Sequence, residues 1–201
     1  MLFRSICGHW SRPAGDWQAP VDLLEFLAAG EAPIYAGFGS PCGFIRAKAL
    51  QALIDAVAGR RAIFSPGWSR IDSTVLPHNF FVAHAVPHEW LFPRVSVAIH
   101  HGGAGTTHTA ARAGVPQIVL PLGADHHFWA HRVAAKGAAP KYPRGGRLRS
   151  AAIAAMIEFT QRDETRRNAR VLGEAMSRED GVSFAIQQIS EEHTSELQSP
   201  I

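Results

Sequence analysis

Residues Val95–Thr107 read VSVAIHHGGAGTT, an apolar run that ends in two histidines and a glycine-rich turn before helix-forming residues begin. A strand, a glycine turn and a helix start in that order build an anion site. Glycine lets the backbone approach a ligand closely, the first helical N–H groups lack intrahelical acceptors, and the helix dipole adds partial positive charge there. Phosphate is the natural guest. A glycine pair before a helix also serves tight strand-to-helix packing, and a histidine at a strand end is either a ligand contact or a hydrogen-bonded structural residue. No lysine follows in the manner of G-x-x-x-x-G-K-[ST], which disfavours a Walker-type site. Gly102, Gly103 and Gly105 lack the G-x-G-x-x-G spacing, and no acid except Asp125 lies about 20 residues on as a ribose ligand. His127 and His131 are four residues apart and would share a helix face, yet no H-E-x-x-H or cysteine set accompanies them, so no metal is expected.

The elements that must position this block are legible in order. Strand-length apolar runs (Ala32–Phe38, Arg61–Phe64, Phe80–Ala83, Val95–Ile99, Gln117–Leu120) alternate with helical spacing over Phe44–Val57, Thr106–Ala113 and Phe128–Lys136. Gly59, Gly114 and Gly137 end those helices. From Leu148 to about Ile189 the pattern is helical, with a break near Gly181. Such alternation predicts an α/β fold, a Rossmann-like parallel sheet flanked by helices. His100 and His101 then sit at the carboxyl end of a central strand, where ligands bind open sheets of this kind.

The 201 residues are 46% hydrophobic and 18% charged, enough apolar material for a real core. No membrane-length apolar run or signal peptide is visible. Cys7 and Cys42 are too few for a disulfide framework, which fits a reducing compartment and suggests the cytoplasm. The formal net charge of +3 does not demand nucleic acid, and none is expected as a partner. Arg132, Lys136, Lys141, Arg144, Arg147 and Arg149 form an acid-free run that reads as a solvated loop and helix end before a polyanion or membrane contact. Residues 1–30, with Pro13, Pro20, Trp10, Trp17 and Phe26, read as an interdomain connector. Residues 31–189 read as the binding domain. The stretch 190–201 abandons the apolar period and reads as a non-native tail resembling a translated sequencing adaptor.

The stretch FVAHAVPHEWLFPRVSVAIHHGGAGTTHTAARAGVPQIVLPLGADHHFWAHRV closely resembles the nucleotide-sugar-binding half of the family 1, UDP-glycosyltransferase-like enzymes of GT-B fold. Sterol-glucosyltransferase-like and glycopeptide-glycosyltransferase-like members are the nearest in appearance. PIYAGFGS and EDGVSFAIQQI extend the resemblance over roughly Gly8 to Ile189. It implies the C-terminal half of a GT-B fold, with the N-terminal acceptor domain and its histidine base missing. His101 then contacts the donor diphosphate, with Gly103, Gly105 and Thr106 placing donors around it. Ser40 is a second phosphate contact, a helix N-cap, or both. Val86 and Pro87 match the segment that edges the nucleotide base, and Trp68 is either a wall of that pocket or core packing. Asp125 matches the acid that binds sugar hydroxyls, with His126 where the family has glutamine. Thr109 and Ala85 replace a ribose-binding glutamate and a base-stacking tryptophan of some relatives.

The resemblance implies a metal-independent hexosyltransferase that needs no cofactor. It would transfer sugar with inversion from UDP or dTDP to a hydroxyl of a lipid or natural-product acceptor, with peripheral membrane contact as one setting. No catalytic residue is expected in these 201 residues, and His108 is expected to point away from the helix N-terminus. A non-catalytic nucleotide-sugar-binding module is the competing reading. An epimerase would need an acidic pair near the sugar that is not found.

Overall fold

The computed structural model describes residues 7–10, 15–39, 47–67, 75–142 and 149–197. Five parallel strands, β1 (Ile34–Gly37), β2 (Ala62–Ser65), β3 (Phe80–Val82), β4 (Val97–His100) and β5 (Gln117–Val119), lie in the order β3-β2-β1-β4-β5. This is the Rossmann-like α/β sheet expected from the sequence. Each strand reads as a continuous apolar run because both faces of the sheet are covered. On one face Ile34, Ala36, Phe64, Val97 and Ile99 meet Leu50, Leu53 and Val57 of α2 (Ala47–Val57) and Ile153, Met156 and Ile157 of α6 (Ser150–Thr160). On the other face Tyr35, Ile63 and Ala98 pack with Leu23, Leu91, Phe92 and Ala110. The alternation of neighbours such as Ile34 and Tyr35 is the period-2 geometry of a strand.

Ala110 belongs to α4 (Ala104–Arg112), Leu91 to the one-turn helix α3 (His88–Leu91), and Leu23 to α1 (Val21–Ala28). Thus the stretch expected to be a connector contains a helix that buries a leucine completely. After α5 (His126–Ala135), the long C-terminal helical pattern divides into α6, α7 (Asp163–Ser177) and α8 (Gly181–Leu197). The second break falls at Gly181 as the spacing predicts. Helix α8 runs on through residue 190. Arg112, at the end of α4, donates to the carbonyls of Met176, Ser177 and Glu179 and so closes the carboxyl end of α7.

Between β4 and β5, His100 is fully buried, and both of its ring nitrogens are engaged. The Gly102 N–H donates to its Nδ1 at 3.1 Å, which leaves the proton on Nε2 to donate to the Gln117 Oε1 at 2.9 Å. These bonds hold Gly102 at φ +95°, where a side chain would also strike Val119 Cγ1 at 2.7 Å. Burial, followed by the neighbouring histidines, pushes the His100 pKa down to about 3, so the folded state keeps it neutral while an unfolded chain protonates it near its ordinary value. Stability is therefore complete above about pH 6.5 and falls with acidification, by up to ~1.4 kcal/mol per pH unit from this group. Urea unfolding between pH 7 and 5 should show that decline, with a shallower slope in His100→Gln even though that variant is less stable at pH 7. Parallel slopes would assign the acid sensitivity to other groups.

Candidate functional site

Sheet order reverses direction between β1 and β4, and the crevice outside the carboxyl ends of strands at such a point is where open α/β sheets hold ligands. The loops after β1, β4 and β5 meet there. His101, one residue past the buried His100, turns its ring between two glycines. A side chain on Gly39 would meet His101 Cε1 at 3.0 Å, and one on Gly103 would meet Nε2 at 2.6 Å. His101 is 8% exposed and its Nδ1 has no hydrogen-bond partner. Burial, reinforced by His126 and opposed by Asp125, holds its pKa below the usual histidine range, so it is a neutral imidazole at pH 7.

Helix α4 starts beside it with Gly103 as N-cap and no side-chain cap. The first intrahelical bond runs from the Thr107 N–H to the Gly103 carbonyl, so the N–H groups of Ala104, Gly105 and Thr106 lack helical acceptors. Gly105 is exposed and Thr106 half-buried. Of the two threonines, Thr107 is the structural one: it is buried and its hydroxyl donates to the Gly103 carbonyl at 2.9 Å. Thr109 is buried as well.

Asp125 and His126 open α5 on the loop after β5. Asp125 is exposed, and its Oδ2 accepts the Trp129 indole N–H at 2.7 Å. His126 Nδ1 accepts the Leu122 N–H at 3.3 Å, and its ring stands edge-on to His101 with centroids 4.8 Å apart. His126 therefore braces His101 as well as adjoining Asp125. Val86 and Pro87 are half-buried on the loop between β3 and α3, and Val86 packs on the second core cluster. Ser40 and Trp68 lie outside the described residues.

Two parts of the site have little sequence signal. Trp129 lies one helical turn past Asp125, a spacing that hints at a pair but does not say that the indole faces the carboxylate. His9 stacks on His108 with centroids 4.9 Å apart, and His108 meets the Trp129 ring at 4.5 Å. His108 Nδ1 donates back to the Ala104 carbonyl at 2.6 Å. The ring thus leans toward the helix N-terminus, opposite to expectation, because helical side chains tilt that way. His127 lies against Tyr142, and among the described residues no three His, Cys, Asp or Glu side chains converge as a metal set. No helix among them is long and apolar enough to cross a membrane.

The arrangement can hold an anion on neutral donors at one end and hydrogen-bond a polar group through Asp125 at the other. The family described as "Erythromycin biosynthesis protein CIII-like, C-terminal domain" matches residues 57–190. The chain is 38% identical over 198 residues to a sterol 3-beta-glucosyltransferase of Glomerella lagenarium, covering 90% of this chain and 13% of that protein. It is 35% identical to the Arabidopsis thaliana sterol 3-beta-glucosyltransferase UGT80A2, covering 86% of this chain and 28% of the relative. The chain thus spans well under a third of these relatives. In fold it is similar to the glycotransferase of kitacinnamycin, with a TM-score of 0.71 at 18% identity over 94% of this chain and 48% of that one. With the family match, the parallel sheet and this crevice in agreement, the chain belongs to the family 1 type glycosyltransferases of GT-B fold, as a donor domain related to the sterol and natural-product glycosyltransferases.

Proposed function

We propose that this domain binds a nucleotide-diphosphate sugar, UDP or dTDP in its nucleotide, and stabilises the departing diphosphate while the sugar passes with inversion to an acceptor hydroxyl. One observation carries the reading: the uncapped amino end of α4 opens beside a buried, neutral His101 whose Nδ1 is unpartnered. In the reaction the acceptor oxygen bonds to the anomeric carbon from the face opposite the phosphate. The bond from that carbon to the phosphate oxygen breaks, and the diphosphate takes the electron pair. Negative charge grows on the leaving group, where His101 and the N–H groups of Gly105 and Thr106 are preorganised to receive it without a metal. Ser40 completes the phosphate contacts.

Val86 and Pro87 edge the base, with Trp68 as a wall. The backbone N–H and carbonyl of Val86 make no hydrogen bond among the described residues, which suits them to a base edge. Asp125, its Oδ2 already tied to Trp129, turns its other oxygen to sugar hydroxyls, and His126 adjoins it. The acceptor is a lipid or natural-product alcohol. A sterol is favoured because the Glomerella lagenarium and Arabidopsis thaliana relatives are named sterol 3-beta-glucosyltransferases. The acceptor and its histidine base belong to a separate N-terminal half.

In calorimetry, His101→Ala should weaken UDP binding by about 1.5 to 3 kcal/mol, the range for hydrogen bonds to charged groups. Unchanged affinity would move the phosphate site elsewhere. Asp125→Asn should weaken binding of the complete sugar donor more than that of UDP, and equal losses would make Asp125 structural. Supplied with labelled donor and sterol, flavonoid or glycopeptide acceptors, the chain should yield almost no glycoside by mass spectrometry. A positioned base contributes about 10²- to 10⁴-fold, and multiple-turnover transfer would require one within this domain.

A further inference from the structure

At the amino ends of β1, β2, β4 and β5, one strand length from the donor crevice, lies a cavity of about 880 Å³. Arg60, Arg61, Arg166 and Arg170 line it against a single carboxylate, Glu31. Arg60 pairs with Glu158, which is not part of the lining. The other three guanidinium groups meet no carboxylate among the described residues. Arg61 donates from Nη1 to the Glu31 backbone carbonyl at 2.6 Å and lies 4.4 Å over the Phe26 ring, while its Nη2 is buried without a partner. Arg166 donates to the neutral Gln161 side chain, and Arg170 is exposed. Helix ends do not account for them. Arg112 shows what that duty looks like, with its hydrogen bonds to three carbonyls at the end of α7. Among the described residues Arg166 and Arg170 show no bond to a backbone carbonyl, and Arg61 makes a single one, to Glu31 beyond the last turn of α1.

We propose that this cavity is a second anion site, which takes a phosphate or phosphate-ester group. Guanidinium presents rigid forks of donors that match phosphate oxygens in pairs, and three guanidinium groups set against the one Glu31 carboxylate leave an excess of positive charge that suits an anion of more than one charge. Phosphate chemistry supplies that anion from a soluble ester or from a phosphorylated lipid headgroup. The site faces away from the donor crevice, so occupancy does not compete with nucleotide-sugar.

Calorimetric titration of the full chain with inorganic pyrophosphate tests this, because pyrophosphate also suits the donor site. The wild type should show two binding events. His101→Ala should retain the one at the arginine cavity. The double variant Arg166→Gln/Arg170→Gln should lose that event by about tenfold or more while binding UDP as before. Arg170→Glu changes an exposed side chain, so it reports on the cavity without threatening the fold. If the arginine variants give the wild-type pyrophosphate isotherm, the cavity is no anion site. Failure of the donor reading would register separately, as an unchanged isotherm in His101→Ala. Co-sedimentation with phosphatidylcholine vesicles containing a phosphoinositide identifies the source. Retention of wild type but not of Arg170→Glu assigns a lipid headgroup, and pyrophosphate binding without retention assigns a soluble ester.

Discussion

The His100 imidazole, sealed between β4 and β5, has both nitrogens committed to structure: Nε2 to Gln117 and Nδ1 to the Gly102 N–H. Those bonds fix where the chain leaves the sheet and how sharply it turns. Because the turn is set, the next residue, His101, emerges on the ligand side between Gly39 and Gly103, and α4 begins with its amino end facing the crevice. A protonated His100 would lose the Gly102 bond, since Nδ1 would become a donor facing a donor, and would bury an unpaired charge. The same event would therefore destabilise the strand junction and displace the turn that carries His101. Stability and the placement of His101 are linked through one proton.

Much of this was legible in the sequence because the physics is local. Apolar runs such as PIYAGF and VSVAI are continuous since a parallel sheet is covered on both faces, and glycines mark where each helix stops. The strand, glycine turn and helix start of the proposed anion site were legible for the same reason. The residue types alone left open which of two adjacent histidines supports the turn, and the resemblance gave the ligand role to His101. Register shows the supporting one: His100 is still within the ladder, opposite Val119, whereas His101 has left it. Helix α1 was obscured by its setting of prolines and aromatic residues, and it is stabilised by burying Leu23 rather than by its own propensity. The break between α6 and α7 carries no glycine or proline. It is set where Thr165 and Ala169 must pack inward while Ile153 and Ile157 face another surface. Trp129 could be paired with Asp125 by spacing, but only the rotamer shows the indole N–H on the carboxylate.

The two ends of the sheet meet negative charge by different means. At the carboxyl ends the donors are neutral: the helix N–H groups and His101, which burial chiefly holds below the ordinary histidine pKa. At the amino ends the donors are arginines, which keep their charge at any accessible pH. Neutral, directed donors suit an anion that forms during a reaction and must then leave, because they stabilise growing charge without the long-range attraction of a fixed cation. Fixed guanidinium charges suit an anion that arrives already charged and stays. A leaving diphosphate belongs with the first arrangement and a resident phosphate with the second. The first arrangement follows from the fold, since helices after parallel strands point their positive ends toward one edge of the sheet, whereas the arginines at the opposite edge are side chains that the helix carboxyl ends do not engage.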